Sequence, residues 1–418
     1  MSVESRENVS TVEDMSNLNV AENVNYFSKS WQEIDYEFPK FTNIYSKKEK
    51  LKCEDELEIY FDAIKKDICK KKNSLIKNRD IEEKYSTAVR TFLKERIYFE
   101  DKQLEVLFSN DFLKVSSEFS KMAYSFDRSI GKFEVFQACR NVWTMNWVQL
   151  LLCIPIELTP SIFAYSMLYP YTDNYLDDPN ICEENKYKFN QRLTARLLGD
   201  NVKPIGRLEY IIYELIGMIE IQYNRTFYPQ VYESLLAIHS SQTKSIRLMN
   251  SDIKIERKDL LDISLEKGGT SVLADGYLVA GFLTESQQKY LFGYGAYLQL
   301  IDDLQDVKDD SSNGFNTIFS NESAKYSLDI LANRLFHFGE EVIPDCNSLN
   351  VNESYSIIEI MKKTNELLII GSIGCGGNYY SSSYLSQIEN HSPFSFSFLQ
   401  KHQNDFIQSG SIFMQLAY

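Results

Sequence analysis

The sequence predicts an all-α fold. Apolar residues recur at spacings of three and four through most of the chain. Alternating strand patterns are scarce, and the hairpin dipeptide Asn-Gly occurs once, at Asn313-Gly314. The nine prolines stand more at the ends of periodic segments than at strand edges. No repeat of solenoid length is visible.

Residues 1 to 25 are polar and acidic and are expected to be disordered. An N-terminal helical extension is expected over 26–109 and the main helical domain over 110–418. In "EDELEIYFDAIKKDICKKKNSLIKN", Leu57, Tyr60, Phe61, Ile64 and Ile68 form a helical stripe, and Lys70, Lys71, Lys72 and Lys77 read as a solvated face. "TPSIFAYSMLYPYTDNYLDDP" begins with Thr159 as N-cap and Pro160 at the first helical position. Pro170 is expected to kink this helix, and Pro179 to end it at Asp178. "IGRLEYIIYELIGMIEIQY" and "LLAIHSSQTKSIRLM" supply two more helices. "TESQQKYLFGYGAYLQLIDDLQDV" opens with Thr284 and Gln287 in capping-box spacing. The following "DDSSNGFN" reads as a loop, and "GSIGCGG" as a helix break.

Composition narrows the function. The chain has 418 residues, 44% hydrophobic and 25% charged, which is ordinary globular chemistry. Its formal net charge of −15 opposes binding to nucleic acid and to anionic membranes. An anionic substrate would need local positive charge, and bound metal ions would supply it. Seven scattered cysteines without a C-x-x-C pair suit free thiols in a reducing compartment. The four histidines lie too far apart in sequence to suggest a His-based zinc site. The first twenty residues lack the features of a signal peptide, and "WVQLLLCIPI" is too short to span a bilayer. A soluble, cytoplasmic protein without a transmembrane segment is expected.

Two acidic clusters carry the chemistry. In "LYPYTDNYLDDP", Asp173 and Asp177 are four apart and project along one line of a helix, with Asp178 within reach of its end. Their repulsion, and the negative end of the helix dipole, call for a cation. In "LQLIDDLQDVKDD", Gln299, Asp302, Asp303, Asp306 and Asp310 fall within an arc of about 100° on one helix. Either cluster alone could be a solvated acidic helix end. Two of them, each after an apolar helix, would make a cup of carboxylate oxygens suited to Mg²⁺ and a diphosphate. Lys267 precedes Gly268 and Gly269, which are expected to break the helix and bare N–H groups beside the lysine.

These residues resemble the class I isoprenoid synthases: trans-prenyl diphosphate synthases, squalene and phytoene synthases, and terpene cyclases. "QLIDDLQD" looks like the Q-x-x-D-D-x-x-D of prenyl diphosphate synthases. "DNYLDD" is closer to the D-x-x-x-D of squalene and phytoene synthases. The resemblance spans roughly residues 110 to 345. It implies a bundle of mostly antiparallel helices around a deep apolar cavity, with three Mg²⁺ ions binding a prenyl diphosphate at its mouth. Asp173, Asp177, Asp178, Asp302, Asp303 and Asp306 then stand at metal positions. Of these, Asp173, Asp177, Asp302 and Asp306 carry the catalysis. Lys267 and Gln299 stand where the substrate binds, and Arg140, Arg192 and Arg196 are the nearby basic candidates. A homodimer is compatible with this reading.

The chain departs from the chain-elongating pattern. It has no Arg-Arg pair after the first motif, no G-K-R-x-R-P near the N-terminus, and no N-S-E type second motif. The expected activity is therefore a Mg²⁺-dependent terpene synthase that ionises and cyclises one linear prenyl diphosphate. The alternatives are a prenyltransferase, elongating or head-to-head, and an all-α Mg²⁺-dependent nucleotide pyrophosphohydrolase. No convincing Glu-x-x-Glu accompanies the acids, which disfavours the last.

Overall fold

The computed structural model describes residues 18–71, 78–178, 180–246, 255–343, 354–403 and 405. Among them are the α-helices α1–α17, a further helical run at 396–403, and no strand. The first nine are α1 (Val20–Glu33), α2 (Lys47–Lys71), α3 (Asn78–Glu95), α4 (Asp101–Leu107), α5 (Asn110–Phe126), α6 (Lys132–Leu151), α7 (Pro160–Asp177), α8 (Glu183–Leu198) and α9 (Gly206–Gln222). The remainder are α10 (Pro229–Ser245), α11 (Arg257–Ala280), α12 (Glu285–Gln305), α13 (Val307–Asn313), α14 (Ile318–Ser323), α15 (Asp329–Val342), α16 (Ser354–Cys375) and α17 (Ser382–Glu389). No helix of the described residues is long and apolar enough to cross a membrane.

The caps read from the sequence form. Thr159 Oγ1 accepts from the Ile162 amide at 3.3 Å, with Pro160 in the first turn. Thr284 and Gln287 close a reciprocal capping box. α7 runs on through Pro170 to Asp177. Pro179, expected to end it, lies outside the described residues, as do Lys72 and Lys77 and the side chains of Ile68, Lys70 and Lys71. α16 ends within "GSIGCGG", as expected, at Cys375.

α11 and α12 form the most extensive helix pair and the spine of the core. Their approach is set by glycines, and here the structure corrects the sequence reading. Gly268 and Gly269 do not break α11, which is helical throughout. A Cβ on Gly268 would sit 2.3 Å from the Gly295 carbonyl oxygen, and one on Gly269 would sit 2.5 Å from the Phe292 ring. The helix retains glycine because a second backbone occupies the space of a side chain. With α11 unbroken, the local N–H groups serve the helix and form no anion nest.

Two further elements differ from expectation. α1 begins inside the segment 1–25 expected to be disordered; residues 1–17 lie outside the described residues. Val24, Phe27 and Trp31 of α1 join the main core, and the Phe27 ring fills the space that a Cβ on Gly293 would take. The "DDSSN" portion of the expected loop is helical: the Asp310 amide donates to the Asp306 carbonyl at 2.8 Å, and Gly314, at φ 73°, ends the turn. Asp310 therefore stays in register with Asp302 and Asp306.

Candidate active site

The acids of the two motifs face one another across a pocket of about 260 Å³. Asp173 comes from α7, and Asp302, Asp303, Asp306 and Asp310 come from the end of α12 and from α13. Lys267 of α11 lines the same pocket. The pocket adjoins a larger cavity of about 560 Å³, with Asp173, Gln242, Lys267, Gln299 and Asp302 shared between them. Phe136, Trp143, Trp147, Tyr165 and Leu168 give the larger cavity aromatic and apolar walls. The space thus has a charged end and a greasy body.

Each acid has a distinct setting. Asp173 accepts from the Gln242 amide at 2.5 Å and from Thr172 Oγ1 at 3.2 Å. Asp303 is buried, with one oxygen accepting from Ser264 Oγ at 2.7 Å and the other from Gln299 Nε2 at 2.8 Å. It is held as a fixed post, and Gln299 is the strut that holds it. Asp302 and Asp306 stand at the exposed face of the same helix end. Loss of water pushes Asp303 up to about 6, against the donors Ser264 and Gln299. Desolvation, then the charges of Asp302 and Asp309, push Asp306 up to about 6, while Arg140 and Lys267 pull it down. Asp310 rises to about 7, from desolvation and from Asp303, Asp306 and Asp302. The pocket concentrates negative charge that little in the protein neutralises.

The remaining expected residues divide. Arg140 lines the larger cavity. Asp178 caps its own turn, accepting from the Asn180 amide at 2.8 Å and from Asn180 Nδ2 at 2.9 Å, and it does not line the acid pocket. Asp177 ends α7, but its side chain lies outside the described residues. Arg192 and Arg196 do not come to the site. Arg192 holds Glu209 in a bidentate pair at 2.7 Å, and Arg196 holds Glu220 at 2.5 Å, which ties α8 to α9. Glu209 is buried, and turning Arg192 toward the cavity would leave its charge unpaired. Gln242 and Ser264 are site residues that the sequence reading did not name, and Asp310 was named in the second cluster without a metal role. Asp310 carried a signal, its i+4 spacing from Asp306. Gln242 carried none.

Mg²⁺ fits the donor chemistry here, since every facing ligand is an oxygen. Among the described residues no three His, Cys, Asp or Glu side chains converge to hold a metal ion by themselves. An ion held by one or two carboxylates and completed by water and phosphate oxygens would need no such triad. Of the side chains lining the pocket, Asp173, Asp302, Asp306 and Asp310 would be the ones to hold it. No protein-family model, curated protein or solved structure matches this chain.

Proposed function

We propose that this protein is a Mg²⁺-dependent terpene synthase of the class I isoprenoid synthase type, which ionises and cyclises a linear prenyl diphosphate. The observation that carries the reading is the shared junction: Asp173 and Asp302 with Lys267 line both an acidic pocket and an aromatic-walled cavity. A diphosphate with a hydrocarbon tail matches that division of polarity. Asp173, Asp302, Asp306 and Asp310 would hold the ions, whose charge would offset that of this acidic protein toward a diphosphate. When bound, Mg²⁺ supplies Lewis acidity to the departing diphosphate. Lys267 and Arg140 take up the charge of the leaving group. Asp303, fixed by Ser264 and Gln299, keeps the helix end rigid while charge builds around it. The aromatic walls fold the tail and face the cation that remains.

A single substrate is favoured over chain elongation because Arg192 and Arg196 are spent on Glu209 and Glu220. They leave no basic pair for a second diphosphate among the candidates on α8. The test is incubation with prenyl diphosphates of two to five isoprene units, with Mg²⁺. Release of diphosphate with a cyclic hydrocarbon or alcohol is expected. A longer prenyl diphosphate, formed only with a second substrate, would select the prenyltransferase. Hydrolysis of deoxynucleoside triphosphates, with all prenyl diphosphates left intact, would overturn the reading.

A further inference from the structure

Behind the wall of the larger cavity lies a buried polar group that the chemistry at the mouth does not use. Asp275 of α11 is 1% exposed, and its Oδ2 has no partner. Its Oδ1 accepts from Asn141 Nδ2 at 3.4 Å. The same nitrogen donates to Ser166 Oγ at 3.1 Å, and the Ser166 proton turns toward Met145 Sδ at 3.8 Å. Asn141 lines the cavity, while Asp275 sits behind it. The amide nitrogen of Asn141 is thus held on the inner side by two acceptors. In this arrangement Ser166 turns its proton to Met145 Sδ, which leaves its oxygen, like Asp275 Oδ1, as an acceptor for the amide nitrogen. The planar amide then carries its oxygen on the opposite side from the two acceptors.

We propose that Asn141 presents its carbonyl oxygen to the cavity as a fixed dipole for positive charge on the ligand's hydrocarbon chain, and that Asp275 and Ser166 are the positioning residues. The role in turnover rests on the proposed function, since a cation arises in the cavity only if a diphosphate leaves. An amide oxygen suits this task better than a carboxylate, which would deprotonate a carbocation or bond to it. A preorganised dipole in a dry wall stabilises developing charge without reorganising. Phe136 and Trp143, on the same helix as Asn141, line the cavity beside it, and aromatic rings suit a cationic neighbour. Burial pushes the Asp275 carboxyl well above its usual range, against the donor Asn141. Burial also raises the Tyr165 phenol, which is hydrogen-bonded with Ser271.

The test needs no turnover. Binding of N,N-dimethyldodecylammonium and of dodecanol is read by tryptophan fluorescence, since Trp143 and Trp147 line the cavity. The ratio of the two affinities is compared between wild type and variants. Asn141→Leu and Asp275→Leu should lower the ammonium preference about tenfold. Asp275→Asn should keep it, because an amide oxygen at 275 still accepts from Asn141. Ser166→Ala, which removes a single atom, should lower it by a smaller factor, and dodecanol affinity reports that each variant keeps its cavity. An unchanged preference in Asn141→Leu, or an equal loss in Asp275→Asn and Asp275→Leu, would overturn the proposal. In turnover, Asp275→Leu should shift products toward acyclic ones while Asp275→Asn keeps the wild-type profile, and identical profiles in both would also overturn it. Absence of diphosphate release by the wild type would refute the proposed function and leave the binding result to decide this one.

Discussion

Gly268 and Gly217 both lie inside helices, and the same substitution should act on them with opposite sign. At Gly268 an added Cβ meets the Gly295 carbonyl oxygen at 2.3 Å and Gln299 Cβ at 2.4 Å. Ordinary contact begins at 3.4 Å, so the shortfall is about 1.1 Å against the backbone of α12. Neither atom is the end of a flexible side chain, and relief requires α11 and α12 to part. Overpacking of this kind costs about 1–3 kcal/mol, with the upper end suited to a backbone clash. Alanine recovers about 1 kcal/mol of helix propensity, which leaves Gly268→Ala destabilised by about 2 kcal/mol. At Gly217 of α9 nothing lies within 4 Å of the added atom. There the propensity gain stands alone, and Gly217→Ala should be stabilised by about 1 kcal/mol. Urea unfolding followed by circular dichroism measures both. A Gly268→Ala protein as stable as the wild type would refute the account of how the two helices meet. So would a Gly217→Ala protein that is less stable than the wild type. The clash also lies beside Gln299, so Gly268→Ala should weaken the hold on Asp303.

Three other outcomes follow from the same geometry. Arg192→Met should cost about 2 kcal/mol by leaving Glu209 buried without its partner, discounted because the arginine is partly exposed. It should leave the dependence of turnover on diphosphate substrate unchanged, which steady-state kinetics would check. The raised carboxyls of Asp303, Asp306 and Asp310 work against the folded state as pH rises. Their unfolded values lie near 4, so the cost starts there and is complete once pH exceeds about 7. Scanning calorimetry without metal should therefore show less stability at pH 8 than at pH 5 from these groups, and the difference should shrink in Asp306→Asn/Asp310→Asn. Mg²⁺ should raise the melting temperature more at pH 8 than at pH 5, and an equal rise at both would tell against carboxylate binding.

Local chemistry made much of the fold legible. Thr159 with Pro160, and Thr284 with Gln287, announced their helices because capping involves residues within one turn of each other. The acids of the second motif were legible for the same reason, since i+4 spacing alone puts Asp302, Asp306 and Asp310 on one face. What failed was non-local. Gly268 and Gly269 read as helix breakers because propensity cannot see Gly295 and Phe292 on a neighbouring helix. Arg192 and Arg196 stood as candidates for the diphosphate because Glu209 and Glu220, which hold them, lie on α9, beyond any spacing rule. Asp275, one acid in the apolar "SVLADGYLVAG", gave no hint of Asn141, more than a hundred residues earlier. The composition of residues 1 to 25 hid the apolar stripe of Val24, Phe27 and Trp31 that begins near their end.

The central claim is that the carboxylates beside Lys267 serve a diphosphate through Mg²⁺. The most direct measurement is Mg²⁺-dependent diphosphate release from a prenyl diphosphate by wild type and by Asp302→Ala/Asp306→Ala. The account predicts release by the wild type and none by the variant, with circular dichroism showing the same helical content in both. Undiminished release by the variant would contradict it and move the chemistry elsewhere in the protein.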